Sequence, residues 1–132
     1  MVVIKINSKD EFDQHLAKGK LVIVDFFAES DESSQSVEPE IEKLSNEYED
    51  VLFLKVDVDS VQTVSAVYNI TTLPTFKFFK NAELIEVEVV GTHVNAVSAL
   101  IKKYKRFMII INNFICILSY QFLYSYNDGP SK

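Results

Sequence analysis

Cysteine is nearly absent from this sequence, since Cys116 is the only one among 132 residues. A lone cysteine excludes an intramolecular disulfide, a zinc site built from cysteines alone and a two-thiol redox centre within one chain. Basic residues are also in deficit, with 13 Lys and Arg against 19 Asp and Glu. No nucleic acid partner is therefore expected. The apolar stretch at the N-terminus is too short for a signal peptide, which predicts a cytoplasmic location.

The composition is otherwise that of a globular domain, with 48% hydrophobic and 24% charged residues. The charge is unevenly distributed along the chain. Residues 1–104 hold 10 basic and 18 acidic residues, whereas residues 105–132 hold 3 basic residues and one acidic residue. The sequence therefore predicts one acidic domain over 1–104 and a separate hydrophobic tail over 105–132.

Apolar periodicity and turn signals predict nine elements in the order β-α-β-α-β-α-β-β-α. Ser8 and Glu11 form a capping box at the start of the first helix, and Gly19 suits its end. Pro39 falls inside the second helix, and Ser60 is expected to cap the third. This order predicts an α/β fold with a mixed central sheet and helices on both faces.

Several spaced motifs along residues 1–104 agree with one known family. They are Val24-Asp25-Phe26-Phe27-Ala28-Glu29, Pro39, Val56-Asp57-Val58-Asp59, Leu73-Pro74-Thr75-Phe76 and Gly91. In this order they resemble thioredoxin, which implies the thioredoxin fold. The stretch 68–81 looks especially like the N-terminal thioredoxin-like domain of multidomain monothiol glutaredoxins of the PICOT type.

The resemblance breaks at the family's catalytic turn, which reads Ser30-Asp31-Glu32-Ser33-Ser34 here. Asp31 and Ser34 stand where thioredoxins carry their two cysteines. Disulfide exchange needs a thiolate that attacks and a second thiol that releases the mixed disulfide. No catalytic residue is therefore assigned to this turn. Asp31 is expected to cap the following helix instead, and no metal site is expected here.

The resemblance also implies a groove that pairs with an extended peptide, beside a cis-proline at Leu73–Pro74. Strand addition of this kind needs no cysteine. The groove residues are Ser30, Asp31, Ser34, Leu73, Pro74, Thr75, Gly91 and Thr92. Acidic residues crowd positions 29–42, which favours a basic protein or peptide as partner.

An acid interrupts the apolar second strand at Asp25. In thioredoxins the matching acid is buried near the active-site thiols and assists proton transfer. Lys55 lies on the neighbouring predicted strand, so the two residues are expected to form a buried charge pair.

These observations favour a redox-inactive protein-binding or adaptor module, linked to glutaredoxin-type redox or iron–sulfur homeostasis. No cofactor is expected, because the cluster-binding motif Cys-Gly-Phe-Ser is missing. The alternative from the enzyme class is a thiol–disulfide oxidoreductase with residual activity, which uses Cys116 with glutathione or in a dimer.

The tail allows three interpretations. Residues 107–126 are long enough to cross a bilayer behind the basic run 102–106, which predicts a membrane-tethered adaptor. Asn112, Asn113 and Gln121 oppose that interpretation because amides are costly inside a membrane. The tail would otherwise pack on its own domain or on a partner chain, or be translated read-through of non-coding sequence.

Overall fold

The computed structural model describes residues 3–18 and 20–127, so the predicted helix end at Gly19 lies outside the described residues. The chain divides into two compact units, Met1–Ser98 and Ala99–Lys132. The boundary expected near residue 104 stays a prediction.

The first unit is built on one five-stranded mixed sheet. Its strands are β1 (Ile4–Ile6), β2 (Leu21–Phe27), β3 (Leu52–Asp57), β4 (Thr75–Lys80) and β5 (Glu83–Val90). Their spatial order is β1-β3-β2-β4-β5. β3 is parallel to β1 and β2, whereas β4 is antiparallel to β2 and β5.

Four helices accompany the sheet: α1 (Lys9–Leu16), α2 (Glu32–Glu47), α3 (Gln62–Val67) and α4 (Val94–Asn127). Every residue of the central strand β2 is buried, so both of its faces are covered. The predicted α/β class and the element order β-α-β-α-β-α-β-β-α are confirmed.

Local sequence signals explain where α1 begins but not where α3 begins. Ser8 caps α1, because its side chain accepts a hydrogen bond from the Glu11 backbone N–H at 3.1 Å. Pro39 lies inside α2, as expected. The expected cap at Ser60 is wrong. α3 begins one residue later than that cap requires, with Val61 in the cap position and no capping side chain.

A tight hairpin joins β4 and β5. Its turn residues Asn81 and Ala82 have φ of 52° and 65°, which suits the twist of adjacent antiparallel strands. The register shifts between Lys77 and Phe78, where a bulge interrupts the pairing of β4 with β5. Lys77 forms an ion pair with Glu88 directly beside this shift.

Aromatic rings organise the core beside α1. The Phe12 ring lies 5.8 Å from that of Phe79 and 5.9 Å from that of Tyr68, both between centroids. Tyr68 also contacts Phe79 edge-on at 5.3 Å. These tilted and edge-on contacts are the favoured geometries for buried rings.

The described part of the second unit is the continuation of α4, which extends through most of the predicted tail to Asn127. Its apolar side chains are largely exposed from Phe107 to Tyr120. Over residues 3–18 and 20–127, no helix combines the length and the apolar character needed to cross a membrane.

Replacing Phe12 by Ala should lower the free energy of unfolding by about 3–5 kcal/mol, because the change empties a ring-sized space in the core. Phe12 is only 1% exposed. Urea denaturation monitored by circular dichroism measures the loss. The matched control is Val67→Ala at a position 60% exposed, where we expect a change of about 0.5 kcal/mol or less. Equal effects of the two substitutions would contradict this packing.

Candidate functional site

The candidate site lies where β2 ends and β4 begins. Phe26 in β2 is the register partner of Thr75 in β4, so the segment after β2 and the segment before β4 meet at one edge of the sheet. The first segment, residues 28–31, leads into α2, and the second ends in the cis peptide bond Leu73–Pro74. The cis-proline implied by the resemblance is therefore present.

Gly91 joins this edge through its backbone. Its N–H donates to the Pro74 carbonyl at 2.8 Å, directly after the pairing of Thr75 with Val90. The φ of Gly91 is +94°, a conformation that side-chain-bearing residues rarely adopt, so glycine fits this position. The Thr75 hydroxyl donates to the Thr72 carbonyl and braces the same loop.

Asp31 is the N-cap of α2, as predicted from the sequence. Its Oδ2 accepts the Ser34 backbone N–H and the Ser34 hydroxyl, each at 2.8 Å. The Ser34 oxygen in turn accepts the Ala28 N–H at 3.4 Å. The Asp31 carboxylate therefore lies at the electropositive N-terminus of α2 and holds the fully buried Ser34 side chain in place.

Neither residue of this pair can carry out disulfide exchange. A carboxylate does not attack sulfur as a thiolate does. The Ser34 hydroxyl is buried and donates its proton to Asp31, so it is neither ionised nor accessible. The arrangement stabilises the start of α2, and it supplies no nucleophile.

Asp25 is buried at the centre of the sheet, with 4% of its surface exposed. Its register partners are Lys55 in β3 and Phe76 in β4, and its Oδ1 has no hydrogen-bond partner. The pKa of Asp25 is raised to about 7, chiefly by burial and also by the charge of Glu38, while the charge of Lys55 opposes this rise.

The ion pair of Lys55 is formed with Glu38, at 3.7 Å between Nζ and Oε1, and the Lys55 ammonium also lies 5.4 Å from the centre of the Phe27 ring. The expected Asp25–Lys55 ion pair is therefore not formed. The two residues are register partners on neighbouring strands, and the charge of Lys55 acts on Asp25 only by lowering its pKa. A cavity of about 30 Å³ adjoins Asp25, Glu38 and Lys55. The sequence analysis did not identify Glu38 as a partner of these buried charges. The only indication in the sequence was that Glu38 belongs to the acidic run before Lys43.

Cys116 lies on α4 in the second unit and is exposed. The part of the chain that the structure describes contains no group of three or more His, Cys, Asp or Glu side chains placed to hold a metal ion.

Comparison with known proteins finds the same family by each route. The family model described as Thioredoxin matches residues 3–105. Thioredoxin 1 of Plasmodium falciparum is 40% identical over 75% of this chain and 94% of its own. Thioredoxin-1 of Schizosaccharomyces pombe is 37% identical over 76% of this chain and 97% of its own.

Solved structures agree with these relatives. The P. falciparum thioredoxin structure has a TM-score of 0.73 at 40% identity, covering 77% of this chain and 99% of that one. A second structure, on thiol resolving in yeast mitochondrial 1-Cys peroxiredoxin via glutathione/thioredoxin systems, has a TM-score of 0.72 at 29% identity. It covers 76% of this chain and 94% of that chain.

These relatives correct two expectations from the sequence. The closer resemblance to PICOT-type glutaredoxins is not supported, because the relatives are named thioredoxins. The redox-inactive adaptor prediction is wrong, because relatives 37–40% identical over most of the chain point to oxidoreductase function. They give no support to a basic partner or to a membrane partner.

The stability of the protein should fall as the pH rises from about 4 to about 7. Folded Asp25 keeps its proton up to about pH 7, whereas an aspartate in an unfolded chain releases it near pH 3.9. The folded state therefore binds more protons in this window, and this group removes about 1.4 kcal/mol of stability per pH unit.

Asp25→Asn should flatten that profile, measured by urea unfolding between pH 4 and pH 8. The exposed control Asp59→Asn should keep the slope of the parent. A profile that stays equally steep in Asp25→Asn would show that another group causes the dependence.

Proposed function

Because this chain belongs to the thioredoxin family, we propose that it is a thiol–disulfide oxidoreductase that uses one thiol of its own and takes the second from a small thiol such as glutathione. The relatives named thioredoxin, 37–40% identical over most of the chain, carry the proposal. The family match over residues 3–105 agrees with them.

Cys116 is the residue to which this chemistry points, since the chain has no other cysteine. The thiol is exposed on α4, so a disulfide in solution can approach it. The thiolate form of a cysteine is the nucleophile that attacks a disulfide. No role in sulfur chemistry is assigned to Asp31 or Ser34.

The proposed reaction begins when the Cys116 thiolate attacks one sulfur of a substrate disulfide. The substrate S–S bond breaks, a mixed disulfide forms at Cys116, and the leaving sulfur takes a proton from water. One glutathione thiolate then attacks Cys116 and releases the second substrate thiol. A second glutathione frees Cys116, so the net products are a substrate dithiol and one glutathione disulfide.

A protein is the proposed substrate of the Cys116 thiol, and the groove along Ser30, Asp31, Ser34, Leu73, Pro74, Thr75, Gly91 and Thr92 is proposed as a separate peptide-binding surface of the first unit. The Gly91–Pro74 hydrogen bond and the Phe26–Thr75 register support the proximity of the three segments. The 1-Cys peroxiredoxin named for one structural neighbour illustrates such a partner. An extended segment would add to the groove through backbone pairing.

Cys116→Ser should abolish glutathione-dependent reduction of insulin disulfides, because it removes the attacking sulfur. The rate of glutathione disulfide formation, coupled to glutathione reductase, is the measurement. Ser119→Ala, at another exposed position of the same helix, is the matched control and should keep the parent rate. Turnover that survives unchanged in Cys116→Ser, or no turnover in the parent, would overturn the proposal.

The double substitution Asp31→Cys with Ser34→Cys should raise insulin reduction with dithiothreitol at least a hundredfold over the parent. Two thiols in one turn make resolution intramolecular, which raises the effective concentration of the second thiol. The single substitution Asp31→Cys is the control and should form mixed disulfides with slow release. A double variant that folds but stays at the parent rate would show that this edge of the sheet does not accept protein disulfides.

A further inference from the structure

Three charged side chains meet at one small cavity between the sheet and α2. Asp25 comes from β2, Lys55 from β3 and Glu38 from α2, and the cavity of about 30 Å³ adjoins all three. The other residues that line it are Val3, Ile41 and Glu42. β4 brings no charge to Asp25, because its register partner there is Phe76. The groups that act on Asp25 therefore come from β3 and α2.

The Lys55 side chain can reach either of two acids. Asp25 and Lys55 are register partners on neighbouring parallel strands, so their Cα atoms lie about 5 Å apart and their side chains leave the same face of the sheet. The Lys55 ammonium lies 3.7 Å from Glu38 Oε1, whereas Asp25 Oδ1 has no hydrogen-bond partner. Lysine carries its charge on a flexible four-carbon stem, so a change of rotamer moves the ammonium from one acid towards the other.

The protonation state of Asp25 decides which acid holds the ammonium. While Asp25 is neutral, Glu38 offers the negative charge. Asp25 is only 4% exposed, whereas the Glu38 side chain is 45% exposed. Charges attract each other more strongly where water is excluded, and a half-exposed ion pair contributes little stability. A buried carboxylate without a partner is costly, so ionised Asp25 should draw the ammonium away from Glu38.

We infer that Lys55 is a proton-controlled switch, which pairs with Glu38 while Asp25 is protonated and with Asp25 after that acid ionises. The first state ties β3 to α2 through two side chains. The second state releases this tie and neutralises the charge inside the sheet. The pKa of Asp25 is raised to about 7, chiefly by burial, which places the exchange near neutral pH. The switch involves no residue of the proposed sulfur chemistry.

An NMR titration of the full chain from pH 5 to pH 9 tests this inference. The probes are the side-chain carboxyl carbons of Asp25 and Glu38 and the ammonium nitrogen of Lys55. We expect all three signals to change with one midpoint, and Asp25→Asn should remove the change at Glu38 and Lys55. The internal control is Lys77, which forms an ion pair with Glu88 and follows Phe76 on β4, so it leaves the opposite face of the sheet. Its ammonium signal should show no such step.

Two substitutions separate a change of partner from a change of electrostatic field alone. Glu38→Gln frees Lys55 for Asp25 and should lower the midpoint of Asp25 ionisation by about 1 pH unit. In a Lys55→Met background the same substitution should lower the midpoint by less than half as much, because no ammonium remains to move. Lys55→Gln replaces Lys55→Met if circular dichroism shows the methionine variant to be unfolded.

The matched control for Glu38→Gln is Glu88→Gln, which removes a carboxylate from the ion pair with Lys77 and should leave the Asp25 midpoint unchanged. An equal effect of Glu38→Gln with and without the Lys55 ammonium would show that Glu38 acts by its own charge, and the switch would be disproved. A Lys55 signal that stays constant while Asp25 titrates would disprove it as well.

Discussion

The pairing of β2 with β3 on one side and β4 on the other is the constraint on which the first unit depends. β2 is buried along its whole length, so its register fixes where the neighbouring strands end. Opposing Phe26 with Thr75 brings the turn before α2 and the cis-proline loop to one edge. The same register sets Asp25 beside Lys55 in the interior. The register of one strand thus positions both this edge of the sheet and the buried acid.

Much of this architecture could be predicted from the sequence because its signals are local. The apolar run of β2, the Ser8 cap and the Asp31 cap each depend on residues within one element or one turn. The prediction at Ser60 was wrong because serine is a common capping residue type but does not cap a helix here. Val61 occupies the cap position before α3. Hydroxyl residues are common in turns for other reasons, so residue type alone does not place a helix start.

The partners of the buried charges could not be predicted because they depend on distances between elements. The sequence predicts that Lys55 pairs with Asp25 on the neighbouring strand, whereas its ammonium forms an ion pair with Glu38 on α2. The sequence does not give the distance between a side chain on α2 and one on β3. The prediction of a redox-inactive function was wrong for a different reason. The absence of both motif cysteines argues against redox chemistry, whereas the similarity to thioredoxins extends over residues 3–105 and does not depend on that one turn.

The interrupted pairing at Lys77 and Phe78 has a consequence for how copies of this chain meet. β5 is the last strand of the sheet, and its outer backbone groups would template a further strand from another molecule. The local twist of a bulge and the exposed negative charges of Glu83 and Glu86 make that edge a poor template for fibril-like stacking. Two molecules that collide at β5 should separate, which limits amyloid-type growth even in concentrated solution.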